Sequence, residues 1–190
     1  MYLYYTKNIP EKESRNLLYQ VLKKYGMQTG IKDLFEKEII IREGLHGKPY
    51  IKQPYIEDIH FSVSHSKSYW ICLIGRDTVG IDIEDKYRNL SNERILRLAK
   101  RFFTKEEYAF VREFGNDAFY QVWVRKEAFI KCKGTGLSEN LKSFSVIDNQ
   151  GEFQQQIEGL WINALTLPIP IYNAYCCKLK ETQIQVIENF

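Results

Sequence analysis

The chain reads as an α+β (α/β) fold built on largely antiparallel sheet, and three observations predict it. Segments with a helical apolar stripe, around 10–26, 91–103 and 117–132, interleave in each half with β-branched and aromatic runs bounded by turn residues. Apolar residues make up 44% of the chain and charged residues 27%, which supplies a core and excludes global disorder. The length of 190 residues fits one large domain or two halves of about 95.

Residues 10–26 form the first expected helix. Pro10 sits near its start, Leu17, Leu18, Val21, Leu22 and Tyr25 make one stripe, and Gly26 suits its C-terminal cap. The β-branched run 37–42 reads as a strand, and Gly47-Lys-Pro49 is turn chemistry. Three strands follow as a meander, at 59–64, 69–75 and 79–84, with Ser64-His-Ser-Lys-Ser68 in the first turn and Gly75-Arg-Asp-Thr78 in the second. Residues 91–103 carry a stripe of Ile95, Leu98, Ala99 and Phe102. Thr104-Lys-Glu-Glu107 is a capping box that opens another helix. The strongest helix is 117–132, closed by Gly134 and Gly136, and strands are expected at 143–148, 152–157, 172–179 and 183–188.

Several function classes drop out at this level. Cys72, Cys132, Cys176 and Cys177 lack CxxC spacing, so they form neither a disulfide framework nor a zinc site and read as buried thiols of a reducing compartment. The N-terminus shows no basic start followed by an apolar run, and the apolar stretch 157–177 is broken by Glu158, Asn163, Pro168 and Pro170. A cytoplasmic protein without a membrane span is expected. The net charge of +3 is too weak to argue for nucleic acid. That charge is unevenly spread: residues 86–105 hold seven basic side chains (Lys86, Arg88, Arg94, Arg97, Lys100, Arg101 and Lys105) against Glu93. This net +6 segment is either a solvated helix face or a dock for an acidic partner.

Chemistry-bearing residues stand out in three segments. In Gly80-Ile-Asp-Ile-Glu84, strand alternation sends Ile81 and Ile83 to one face and Asp82 with Glu84 to the other. Paired carboxylates of this kind suit a hard cation such as Mg²⁺, or belong to an acidic edge strand. On a helical wheel of about 100° per residue, Glu127 and Lys131 emerge among Tyr120, Trp123, Val124 and Ile130, while Gln121 and Arg125 lie away from them. Charges on an apolar face must be paired or bind something; the plainer alternative is a surface i,i+4 ion pair. The turn Ser64-His65-Ser66-Lys67 offers hydroxyls, an imidazole and an ammonium to an anion, or is simply solvated.

Together these segments resemble the 4′-phosphopantetheinyl transferase superfamily, in its Sfp-like, pseudo-dimeric type. The motifs that carry the resemblance are Gly47-Lys-Pro, Phe61-Ser-Val-Ser-His-Ser, Gly80-Ile-Asp-Ile-Glu, Lys100-Arg-Phe-Phe-Thr and Trp123-Val-Arg-Lys-Glu-Ala-Phe-Ile-Lys-Cys-Lys-Gly-Thr-Gly-Leu, in that order over about 40–180. Tyr172-Asn-Ala-Tyr-Cys-Cys177 resembles the family's last core strand. The resemblance implies two pseudo-symmetric halves, each a small antiparallel sheet packed by helices, here 1–77 and 78–190, with the active site between them in one chain and hence a monomer. It implies transfer of the phosphopantetheine arm of coenzyme A to a serine of an apo acyl or peptidyl carrier protein, with release of adenosine 3′,5′-bisphosphate. It assigns Asp82, Glu84 and Glu127 to Mg²⁺, Lys131 to the phosphate under attack, and Glu127 to the serine proton. It assigns Ser64 and His65 to coenzyme A phosphate oxygens, Lys48 to the nucleotide site and Arg15 to the 3′-phosphate. Fourteen residues precede Arg15, fewer than members of this type commonly carry, so a weaker adenylate clamp or a substitute such as Lys7 is expected. The carrier's acidic helix would meet the 86–105 segment and the 133–137 loop. Two rival readings are another Mg²⁺-dependent enzyme that cleaves coenzyme A or a nucleotide pyrophosphate, and a non-catalytic RNA-binding module. The second leaves Glu127 and the Asp82/Glu84 pair unexplained.

Overall fold

Seven consecutive buried residues, Tyr69–Gly75, form strand β5 in the middle of the molecule. A strand covered on both faces reads as a continuous apolar run, and its two faces enter two different cores. Trp70, Cys72 and Ile74 pack in one, and Ile71 and Leu73 in the other. These relations come from a computed structural model that describes residues 1–7, 11–52, 58–86, 90–136, 140–178 and 183–190. Pro10, Arg88, Leu137 and position 179, all used in the sequence reading, lie outside the described residues.

The first sheet has the order β10-β1-β5-β4, with β1 at Tyr2–Lys7, β4 at His60–His65 and β10 at Gln185–Glu188. Strand β1 runs parallel to β10 and antiparallel to β5, so a strand from the 78–190 segment completes the sheet of the first. The second sheet, β6-β9-β8-β7, is antiparallel throughout and comprises Val79–Asp85 (β6), Gln156–Ile157 (β7), Leu160–Asn163 (β8) and Ile171–Cys177 (β9). A separate hairpin pairs β2 (Ile41–Glu43) with β3 (Pro49–Ile51).

Among the described residues four α-helices complete the fold: α1 (Ser14–Thr29), α2 (Asp33–Glu36), α3 (Asn92–Phe102) and α4 (Lys105–Lys133). Helix α1 buries Leu18, Val21, Leu22 and Tyr25 against the outer face of the first sheet. Helices α3 and α4 bury Ile95, Ala99, Val124 and Ala128 against the outer face of the second. Leu3, Tyr5, Ile71, Leu73, Ile81 and Ile83 fill the space between the sheets. The layers therefore run helix, sheet, sheet, helix. Among the described residues no helix is long and apolar enough to cross a membrane.

Several expectations need correction. The expected meander breaks after β5, because β1 occupies its second edge and β6 goes to the other sheet. The first helix ends at Gly30 in the left-handed conformation (φ 73°), not at Gly26. Gly26 instead lets α1 meet α2, since a Cβ there would lie 2.6 Å from Cβ of Leu34. The 37–42 run is a strand only from Ile41 onward, where β3 provides a partner. The helices expected from 104 and from 117 are joined as α4, interrupted at Gly115 (φ 74°, ψ −145°). Strand 143–148 reduces to a 3-10 turn at Leu141–Ser143 and a bridge from Ile147 to Phe153, while β8 was not expected. The capping box does form: the Thr104 hydroxyl accepts from Glu107 N–H (3.3 Å), and the Glu107 carboxylate accepts from Thr104 N–H (2.9 Å).

Two local features place α4 over β6. Gly80 shares a face with Asp82 and Glu84, and α4 lies directly on it. A Cβ at Gly80 would run into the Ala128 carbonyl and the Cys132 amide, and would lie 3.0 Å from Cys132 Cα. At the helix end, Lys48 donates to the carbonyls of Cys132 (3.0 Å) and Val79 (3.1 Å), and the Thr78 hydroxyl donates to the Cys132 carbonyl (2.7 Å). A cation at a helix C-terminus is favourably placed. Overpacking against backbone atoms costs about 1–3 kcal/mol or more, so Gly80→Ala is expected to lower the unfolding free energy by at least that amount. A urea denaturation midpoint equal to that of the parent would contradict this packing.

Candidate active site

Strand β6 is an edge of the second sheet and β4 an edge of the first. In an antiparallel pair, N–H groups alternate between the partner strand and the open side. On the open side of β6, Ile81 N–H donates to the Ser62 hydroxyl (3.1 Å) and Ile83 N–H to the Ser64 hydroxyl (3.3 Å). The alternate serines of Phe61-Ser-Val-Ser thus join the two sheets edge to edge and satisfy buried donors that would otherwise be orphaned. Ser64 donates its own proton to Asp82 Oδ1 (2.8 Å).

Asp82, 6% exposed, also accepts from Lys131 Nζ of α4 at 2.7 Å. Glu127, one turn earlier on α4, opens into the same cavity of about 880 Å³ as Ser64, His65, Asp82, Glu84 and Lys131. The structure therefore brings six of the residues singled out in the sequence into one cleft. An adjoining cavity of about 470 Å³ is lined by Lys48 together with Glu127 and Lys131. A third, of about 360 Å³, is lined by Arg15, Lys12 and His65. Val63 borders all three. The Lys48 ammonium is occupied by α4 and β6 carbonyls, and burial pushes its pKa down.

Glu127 is a strongly perturbed carboxyl. Burial, reinforced by the charge of Asp82 and then of Glu84, pushes its pKa up to about 7, while Lys131 works in the opposite direction. A carboxyl poised near neutrality can take up or release a proton under physiological conditions. Among the described residues no three His, Cys, Asp or Glu side chains form a ready-made metal cage. Mg²⁺ does not require one, because it is commonly held by one or two carboxylates with water and substrate phosphate oxygens. The hard oxygen donors Asp82, Glu84 and Glu127, mutually repelling in one cleft, fit that cation.

Several residues of the cavity wall were given no place in the site by the sequence reading. Arg101 and Phe102 at the end of α3, Trp123 on α4, and Asn140 and Leu141 form the far wall of the large cavity. The helical wheel already set Trp123 beside Glu127 and Lys131, and Lys100-Arg-Phe-Phe was a recognisable motif, but only the fold faces that motif onto the carboxylates. Lys126 was missed altogether. It is wholly buried, pairs with Glu107 (2.9 Å) and donates to the carbonyls of Leu141 and Phe144 (2.7 Å each). The other oxygen of Glu107 accepts Val146 N–H at 2.8 Å. This satisfied pair anchors the segment that carries Leu141 into the cavity wall. Its signal was the apolar company of Lys126 on the helix: Val122, Phe129 and Ile130. Arg125 is also buried, with its guanidinium 3.7 Å from the centre of the Phe153 ring.

Residues 78–177 match the family model of the 4′-phosphopantetheinyl transferase superfamily, and this span contains β6, α3, α4 and β9. The chain belongs to that superfamily. It is 45% identical over 105 residues to 4′-phosphopantetheinyl transferase Sfp of Bacillus subtilis, covering 53% of this chain and 44% of that protein. It is 32% identical over 141 residues to 4′-phosphopantetheinyl transferase gsp of Aneurinibacillus migulanus, covering 72% and 55%. It is 34% identical over 115 residues to the L-aminoadipate-semialdehyde dehydrogenase-phosphopantetheinyl transferase of Xenopus laevis, covering 55% and 38%. This superfamily member thus spans about half the length of the curated relatives it matches.

The raised pKa of Glu127 has a consequence for stability. Folding raises its proton affinity, so between about 4.5 and 7 the folded state holds more protons than the unfolded chain. Without added divalent cation, stability falls as pH rises through this window. At about pH 8, Glu127→Gln is expected to be more stable than the parent by up to about 3 kcal/mol, with the difference vanishing below about pH 4. Denaturation midpoints that differ equally at both pH values would contradict the shift.

Proposed function

We propose that this chain transfers the 4′-phosphopantetheine group of coenzyme A to a serine hydroxyl of an apo acyl or peptidyl carrier protein and releases adenosine 3′,5′-bisphosphate. The observation that carries this reading is the convergence of Asp82, Glu84, Glu127 and Lys131 in one cleft, in a chain of this superfamily. The new bond joins the serine oxygen to the β-phosphorus of coenzyme A, and the bond from that phosphorus to the bridging oxygen breaks.

Glu127 receives the serine proton, directly or through a water, and a pKa near 7 suits that task. Lys131, held at Asp82, stabilises charge on the transferred and leaving phosphates. Asp82, Glu84 and Glu127 would hold Mg²⁺, which, when bound, screens the charge of the pyrophosphate oxygens. His65 lines both the main cavity and the one that holds Arg15, so these two side chains serve phosphate oxygens at the adenylate end. Ser64 joins them from the cavity wall while its hydroxyl proton restrains Asp82. Lys48 shapes the nucleotide side. The cationic helix α3, with Arg94, Arg97, Lys100 and Arg101, meets an acidic helix of the carrier.

We further read the protein as a cytoplasmic monomer that needs neither nucleic acid nor membrane. Both walls of the cleft come from one chain, and the four cysteines are buried thiols. The halves 1–77 and 78–190 act as one unit in this reading, joined by the serine seam and by β10.

Mass spectrometry of apo-carrier proteins after incubation with coenzyme A and Mg²⁺ tests the assignment, with a gain of the phosphopantetheine mass on serine as the expected result. Asp82→Asn and Glu127→Gln are expected to retain the parent circular dichroism spectrum while losing about 10²-fold or more in rate. Full activity of both variants would overturn the site assignment. Release of two phosphorylated products from coenzyme A without any carrier would overturn the reaction.

A further inference from the structure

Asp85 closes β6 one residue beyond Glu84, on the face that looks toward the first sheet. It is buried, 7% exposed, and its Oδ2 accepts the backbone N–H of Ser68 at 3.2 Å. Ser68 lies in the turn between β4 and β5. That turn is closed on its own by Ser66 N–H donating to the Tyr69 carbonyl (2.8 Å) and Tyr69 N–H donating to the Ser66 hydroxyl (3.2 Å). Closure fixes the shape of the turn but does not attach it to β6. The serine seam supplies that attachment at Ser62 and Ser64, and Asp85 extends it to Ser68.

The other carboxylate oxygen of Asp85, Oδ1, is buried without a hydrogen-bond partner among the described residues. An orphaned acceptor on a buried charged group opposes folding. A carboxylate kept in this condition is a poor choice for stability alone. What it does provide is a link from the strand that bears Asp82 and Glu84 to the turn that directly follows His65.

We propose that Asp85 is a positioning residue: by holding the Ser66–Ser68 turn to β6, it fixes His65 relative to the carboxylates of the cleft. This rests on the reading that the cleft binds coenzyme A, with His65 on a phosphate. Loss of the acceptor then loosens the grip on coenzyme A without removing a group that touches the reacting atoms. Asparagine keeps an oxygen for Ser68 N–H.

Two kinds of measurement test this. Steady-state kinetics with coenzyme A as the varied substrate would compare the parent with Asp85→Ala, Asp85→Leu and Asp85→Asn. Loss of one hydrogen bond predicts a KM for coenzyme A raised about 3–10-fold in the Ala and Leu variants, with kcat within about two-fold and the Asn variant close to the parent. Hydrogen exchange of the amides of residues 66–69, measured without substrate, is expected to quicken in Ala and Leu and not in Asn. An unchanged KM in both apolar variants, or an Asn variant as impaired as they are, would overturn the proposal. So would exchange at 66–69 that does not respond to loss of the acceptor. The exchange arm uses neither coenzyme A nor a carrier. If the parent itself transfers nothing, the functional reading falls, while the exchange result still decides whether Asp85 holds the turn.

Discussion

The close approach of α4 to β6 at Gly80 is the constraint on which the rest of the site depends. There the helix backbone occupies the space that any side chain would need. Because Gly80, Asp82 and Glu84 share one face of the strand, bringing the helix down on the glycine also lays Glu127 and Lys131 over the carboxylates. A helix held at ordinary packing distance, 8–10 Å between axes for helix pairs, would leave longer gaps for these side chains to bridge. Lys48 and Thr78 both donate to the Cys132 carbonyl, next to the Gly80 contact, and so hold the end of α4 down where it meets β6.

Electrostatics follows from that geometry. Three carboxylates in one partly buried cleft cannot all ionise without cationic compensation. Lys131 compensates Asp82 directly, and Ser64 adds a hydrogen bond to the same oxygen. The Glu127 pKa is pushed up to about 7, by burial first and then by the negative charge of Asp82 and Glu84 that Lys131 offsets only in part. The buried Glu107–Lys126 pair shows the opposite solution. Every oxygen of that carboxylate has a donor, and the pair acts as a fixed anchor beneath the site rather than as part of it.

Much of the site was legible because strands and helices have fixed periods. Alternation put Asp82 and Glu84 on one face, and the helical wheel put Glu127 and Lys131 together. What neither period reveals is which element covers which face. The acidic face of β6 looked like the solvent side of an edge strand, yet it lies beneath α4. Strand β1 was invisible for a related reason: Leu3, Tyr4 and Tyr5 are buried in succession on both faces, so no alternation betrays a strand. Without β1 the sheet order was unreachable, and β6 was assigned to the wrong sheet. The burial of Lys126 and the attachment of Ser68 to Asp85 depend on contacts between segments 15 to 39 positions apart or on backbone donors. Single-sequence patterns carry no such information.

The central claim is that this cleft breaks the pyrophosphate of coenzyme A only to hand the phosphopantetheine to a carrier serine. Phosphorus NMR of coenzyme A with the protein, Mg²⁺ and stoichiometric apo-carrier tests it most directly. The account predicts that the paired pyrophosphate resonances disappear on carrier addition and are replaced by one phosphodiester signal, that of the modified serine, and by one new phosphomonoester, the 5′-phosphate of the bisphosphate, beside the 3′-phosphate already present in coenzyme A. Loss of the pyrophosphate signals before carrier is added, or their persistence after it, would contradict the account.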